Sequence, residues 1–202
     1  MLKNLTRHHL QITIAPEQVQ VFFRLLARGV RIDATMGSSV QDLLLRELGL
    51  DKGYVEQNIQ TVFLNNKPVD RIDTALITEG STLALSSAMP GLVGATFRRA
   101  GYFSSMRRQI SHKNETVAPT GHRGELTLKL FNLVAKALGP HFLSRGIRVW
   151  GIDFRNILLN RLDDFQGGCL EFKLDDRKVD HDALLSIEWE QCEVFLRLII
   201  TD

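Results

Sequence analysis

Apolar positions alternate, or recur at helical spacing, along most of this chain. Leu10, Ile12 and Ile14 alternate with Gln11 and Thr13, which predicts a short strand. Pro16 follows at a place suited to the first turn of a helix. Val19, Phe22, Phe23 and Leu26 fit a helical stripe, and Val19, Val21, Phe23 and Leu25 fit strand alternation equally well, so both readings stay open. Arg28-Gly29 ends whichever element forms. Residues 30–34 read as a strand and Met36-Gly37 as a turn. The clearest helix comes next. Ser38 or Ser39 can cap it, with Gln41 and Asp42 three residues on in capping-box spacing. Val40, Leu43, Leu44 and Leu48 form its stripe, and Gly49 stands at the place where helices turn left-handed and stop. A strand over 59–64, a tight turn at Asn65-Asn66, a second turn at Glu79-Gly80 and a closing strand over 83–87 follow. That strand runs into Met89-Pro90-Gly91 and Gly94.

Past Gly94 the periodicity lapses until Leu126, Leu128 and Leu130 set up another strand. Leu133, Val134, Ala137 and Leu138 suggest a helix ended by Gly139-Pro140. Residues 147–149 read as a strand. Asp153 is placed to cap a helix with the stripe Phe154, Ile157, Leu158 and Leu162. Residues 169–174 read as a strand, Asp175-Asp176 as a turn and residues 194–200 as the last strand. The two halves resemble each other in order. Residues 25–32 match 142–149, each with Arg-Gly before the strand, and residues 63–70 match 173–180. The helical stripes beginning at Val40 and Phe154 have the same spacing. Ala75-Leu76 matches Ala183-Leu184, and residues 83–85 match 194–196.

The helix opened by Ser-Val-x-x-Leu-Leu, the strand ending in Leu-Asn, the Lys-Pro-Val, the Asp-Thr-x-Leu, the Glu-Gly-Ser and a last strand running into Pro and Gly resemble a ubiquitin-like β-grasp. They are most similar to the sulfur carriers of thiamine and molybdopterin biosynthesis, the ThiS/MoaD family. The resemblance runs from about Arg28 to Gly94. With the repeat, it implies an α+β fold of tandem β-grasp units, each a mixed sheet with a helix packed across it. The expected division is a β-grasp domain over 1–96, a basic linker over 97–124 and a second β-grasp-like domain over 125–202.

The chain has 202 residues and a formal net charge of +2, so no global basic field argues for nucleic acid. The charge is uneven. Residues 97–124 hold Arg98, Arg99, Arg107, Arg108, Lys113 and Arg123 against the single acid Glu115, whereas residues 125–202 are net acidic. No run of about 18 apolar residues exists, so no membrane span is expected. Residues 1–9 lack the apolar core of a signal peptide, and a cytoplasmic location is expected. Cys169 and Cys192 read as buried free thiols, with a disulfide as the alternative; neither belongs to a C-x-x-C pair.

Carriers of the resembled family work through a C-terminal Gly-Gly whose carboxylate is adenylated and then takes sulfur. Met89, Pro90, Gly91 and Gly94 occupy the place of that tail here. The glycines are not adjacent and a long chain follows, so a carrier would need cleavage after Gly91 or Gly94. The bland alternative is that Pro90, Gly91 and Gly94 turn the chain out of its domain. Arg98, Arg99, Arg107 and Arg108, interleaved with Phe97, Tyr102 and Phe103, offer an anion or partner site. A solvated face, or a dock for the acidic half, explains them as well. His8-His9 reads as a frayed terminal pair and Asp180-His181-Asp182 as a solvated turn rather than a metal site. Trp150 and Trp189 read as partly buried packing residues.

No phosphate loop, nucleotide fingerprint or Ser/Cys–His constellation is present, and no catalytic residue, metal or cofactor is expected. The expected function is a non-catalytic protein-interaction module, meeting a protein partner or a second copy through a sheet edge or face. The alternatives are a proteolytically processed sulfur carrier and a nucleic-acid binder using the basic linker. An enzyme site between the two repeats, lined by Arg98, Arg99 and acidic residues, is a third and weaker alternative.

Overall fold

The structure is a computed structural model that describes residues 5–107, 110–112, 121–160 and 167–201. The first repeat runs β1 (Thr6–Ile14), a 3-10 turn (Pro16–Phe22), α1 (Phe23–Arg28), β2 (Val30–Thr35) and α2 (Val40–Asp42), which continues as a π turn (Leu43–Glu47). It goes on with α3 (Lys52–Asn58), β3 (Thr61–Leu64), β4 (Lys67–Pro68) and β5 (Thr82–Ser86). Then come α4 (Gly91–Phe97) and a 3-10 turn (Tyr102–Arg107). The second repeat has β6 (Arg123–Leu130), α5 (Asn132–Arg145), β7 (Ile147–Trp150), α6 (Gly151–Asn160), β8 (Cys169–Leu174), β9 (Arg177–Val179), α7 (His181–Leu185) and β10 (Cys192–Ile200). The class is α+β, as expected.

Two compact units form: a central unit of residues 31–135 and a terminal unit of residues 1–30 with 136–202. These borders differ from the expected division at 96 and 124. The physical reason is strand pairing between distant parts of the chain. The first strand of each repeat lies among strands of the other.

In the central unit the strand order is β4-β3-β5-β6-β2. β3 pairs antiparallel with β4 and with β5, and β5 runs parallel to β6. Alternation puts Val62, Leu64, Leu83, Leu85, Leu126 and Leu128 on one buried face, and Val40, Leu43 and Leu44 of the helix are buried with them. Ser39 is the cap: its hydroxyl accepts from the Asp42 amide and donates to the Asp42 carboxylate. Gly49, at φ +67, ends the helical run as its position predicts.

In the terminal unit the order is β7-β10-β1-β8-β9. β1 and β10 run parallel in unbroken register from Thr6↔Cys192 to Ile14↔Ile200. Leu10, Ile12, Ile14, Val194, Leu196 and Leu198 form the buried face. Residues 16–26 resolve to the helical alternative, a 3-10 turn followed by α1, with Val19, Phe22, Leu25 and Leu26 buried. α6 begins at Gly151, so Asp153 lies in its first turn instead of capping it, and accepts a hydrogen bond from Arg28 at 2.8 Å. Leu162 lies outside the described residues. α5 does not stop at Gly139-Pro140 but runs on to Arg145. Gly139 fits closely, since a Cβ there would meet the Phe23 ring at 2.7 Å.

Matched positions of the two repeats share unusual backbone conformations. Asn65-Asn66 (φ 51, 64) and Asp175-Asp176 (φ 47, 65) are both left-handed pairs closing two-residue hairpins. Gly29 (φ 125) and Gly146 (φ 99) both lead into the next strand. The two sheets still differ at the centre. The central unit sets its closing strand β5 beside β3, whereas the terminal unit sets its first strand β1 beside β8. No helix among the described residues is long and apolar enough to cross a membrane.

Candidate functional site

The residues singled out as carrier tail and basic linker build one feature of the central unit. Pro90 precedes α4 in extended conformation, and Gly91, at φ +79, makes the left-handed step into it. Gly94 is buried, and a Cβ there would come 2.3 Å from the Met89 carbonyl oxygen. Met89, Pro90, Gly91 and Gly94 therefore shape the start of a short helix. They do not form an extended tail.

Residues 97–112 do not behave as a free linker where they are described. Arg107, read from sequence as an anion site, is 4% exposed and saturated by the fold. Its Nη1 and Nη2 donate to the two Asp70 carboxylate oxygens at 3.1 and 2.6 Å. Its Nε donates to the Thr96 carbonyl at 2.6 Å, and Nη1 also donates to Ser111 Oγ at 2.8 Å. A guanidinium holds five N–H donors in a fixed fork, so this cage uses most of what the group offers. Asp70, which follows β4, also accepts from the Ala100 amide at 3.1 Å. Arg99 is half-buried; its amide donates to the Gln60 carbonyl at 2.7 Å and its Nη2 to the Val55 carbonyl at 3.3 Å. Burial lowers the Arg99 pKa while Glu56 raises it, and an arginine remains charged throughout. The Phe97 and Phe63 rings meet at 5.4 Å, and the His112 amide donates to the Pro68 carbonyl at 2.8 Å. Of the four proposed anion-binding arginines, Arg98 is exposed and Arg108 lies outside the described residues.

This scaffold displays apolar side chains to solvent. Leu92 is 68% exposed, Val93 70%, Tyr102 93%, Met106 73% and Ile110 55%. α4 packs against the turn that carries Tyr102 and Met106. Single exposed apolar residues need no explanation, but five within twenty residues of a tightly anchored segment do. Sequence reading missed Leu92, Val93, Met106 and Ile110, because they follow no helical or strand period. A cavity of about 400 Å³ lies beside the segment, lined by Gln41, Lys52, Glu56, Asp70 and Arg99.

The other candidates have structural places. His8 and His9 lie within β1 and are not frayed; His8 Nδ1 meets Asp175 at 2.8 Å. Asp180 caps α7 by accepting from the Ala183 amide at 2.8 Å. No group of three metal-ligating side chains occurs among the described residues. The two cysteines are not joined in a disulfide; Cys192 is buried and Cys169 only half-buried, which corrects the expectation for Cys169. Burial, helped by Glu190 and Glu188, pushes the Cys192 thiol up and keeps it unreactive. Trp189 is fully buried, donating to the Leu184 carbonyl at 2.9 Å, while Trp150 is 44% exposed.

No known protein family, characterised protein or solved structure matches the chain.

Proposed function

We propose that this chain is a non-catalytic protein-interaction module whose docking surface is α4 with the turn that follows it. The observation that carries the reading is the set of apolar residues Leu92, Val93, Tyr102, Met106 and Ile110, each exposed on a segment that buried Arg107 fastens to Asp70. A frame so rigidly held, with large apolar side chains facing water, fits a surface completed by another chain. The occupant is an acidic amphipathic segment of a partner protein. Arg98 stands exposed between α4 and the turn, and residues 97–112 contain no acid, so acidic residues flanking an apolar stripe complement this surface. A cytoplasmic setting, expected from the sequence, goes with the proposal.

The ThiS/MoaD resemblance enters as ancestry of the central unit. The unit reads as a β-grasp whose first strand, β6, comes from beyond the tail-like residues. Two features speak against carrier chemistry. Gly94 is packed into α4 and is not free to thread an enzyme. A cut after Gly91 or Gly94 would also sever β6, which sits between β5 and β2.

Site-specific photo-crosslinking in native cells, with the reactive residue at Tyr102, tests the proposal. The expected product is one dominant adduct to an acid-flanked apolar segment, weakened at least about tenfold by V93D or M106D. Adducts only to a second copy or to lipid, or no adduct above a probe at Leu170, would overturn it. Intact mass measured on the same cells should return the uncut chain.

A further inference from the structure

The terminal unit carries a second surface, independent of the first. Odd-numbered positions of β1 and β10, opposite the main apolar face, meet even-numbered positions of β7 in two rows and an odd-numbered position of β8 in a third, as the strand registers set them. Trp150, Glu193 and Arg7 form the first row, Arg148, Phe195 and His9 the second, and Arg197, Gln11 and Lys173 the third. His9 and Phe195 have ring centroids 5.4 Å apart. The Phe195 ring lies over the backbone of Gly146, where a Cβ would come 2.2 Å from its Cζ. Only glycine leaves room for the ring there, so its position is fixed in advance.

Two hollows share this pair. One, of about 180 Å³, adds Arg7 and Arg148 to His9 and Phe195. The other, of about 190 Å³, adds Lys173 and Arg197. Each combines an aromatic wall with two cations. Three acids border the face: Glu193, engaged by Arg7 at 3.2 Å, Glu171, engaged by Lys173 and Lys178 at 3.1 Å each, and Asp176, which lines the second hollow. Arg7, Arg148, Lys173, Lys178 and Arg197 outnumber these three acids, which leaves a net positive face.

We infer that this sheet face binds single-stranded nucleic acid, two successive bases lying against His9 and Phe195 with the backbone along the flanking cations. Stacking on the exposed His9 ring and the half-buried Phe195 ring tolerates any base, and the spacing of strands in a sheet suits successive unstacked bases better than a duplex. The arrangement also explains why the chain's weak overall charge is no obstacle, since the cations concentrate on one face. The linker arginines play no part: Arg107 is enclosed by Asp70 and Thr96.

Fluorescence anisotropy with labelled twelve-nucleotide uridine and thymidine strands tests the inference on the full chain. The expected result is binding whose log affinity falls against log salt with a slope of about −2 to −3, as three or four phosphate contacts imply. H9A and F195A should each weaken binding about fivefold or more. The exposed charge reversals K173E and R197E should weaken it and flatten the slope, with circular dichroism unchanged. R98E, in the central unit, should leave it intact. Equal affinity for a matched duplex or for heparin, loss of binding in R98E alone, or no binding at 50 mM salt would each overturn the inference.

Discussion

Arg107 carries the largest single-residue consequence. Taking away one partner of a buried charge-assisted pair strands the other, which costs about 3 kcal/mol when burial is complete. Asp70 keeps 34% of its side chain exposed, so R107A should cost somewhat less, about 2 kcal/mol by urea denaturation. D70A with R107A should destabilise by much less than the sum of the two single changes, because both break one network. Asp175 offers a pH test. Desolvation pushes its carboxyl up, but hydrogen bonds from the His9 amide and His8 ring, with the charge of both histidines, outweigh that and hold it below the usual carboxylate range. A carboxyl depressed in the folded state adds stability above its unfolded pKa and loses it as pH falls through the folded value. D175N should therefore flatten the acid limb of the stability profile measured between about pH 5 and 2. The turn should survive, because the matched turn of the first repeat already uses Asn65 at this place with φ 51.

At the scale of elements, α4 depends on two glycines for different reasons. G94A forces a Cβ against the Met89 carbonyl oxygen, and should cost about 2 kcal/mol and displace the exposed apolar residues. G91A meets no atom within 4 Å and suffers only its left-handed φ, about 1 kcal/mol. Thermal unfolding of the two variants separates these costs. Elements with local signals were legible in the sequence: the Ser39 cap, the stop at Gly49 and both hairpin turns are written within a few residues. The region 97–112 was misread because a buried arginine looks the same in sequence as a solvated one. Asp70, the residue that decides it, stands 37 positions away. Of the docking residues, only Tyr102 is singled out by the sequence, among the linker arginines, since exposure of Leu92 or Met106 depends on what packs beneath them.

For the whole molecule, the exchanged first strands matter most. β1 pairs with β10 and β6 with β5, so neither repeat contains all the strands of one sheet. Parallel pairing between strands so far apart leaves no local trace, which is why sequence reading put the borders at 96 and 124. Residues 1–112 and 121–202 expressed separately should each lack cooperative unfolding. A full chain nicked between residues 113 and 120 should stay in one piece on gel filtration, because each half holds a central strand of the other's sheet. Separation of the nicked halves without denaturant would contradict this.

The parallel register that joins Thr6–Ile14 to Cys192–Ile200 also sets a timetable for the ribosome. β1 must wait, with Leu10, Ile12 and Ile14 not fully covered, until β10 has been made. The central unit, complete once residue 135 is out, can close first and leave the terminal unit to finish only after β10 has emerged. Closure between β1 and β10 joins strands far apart in sequence, so the terminal unit forms slowly and late. Its nascent form is the state in which it most needs protection from aggregation.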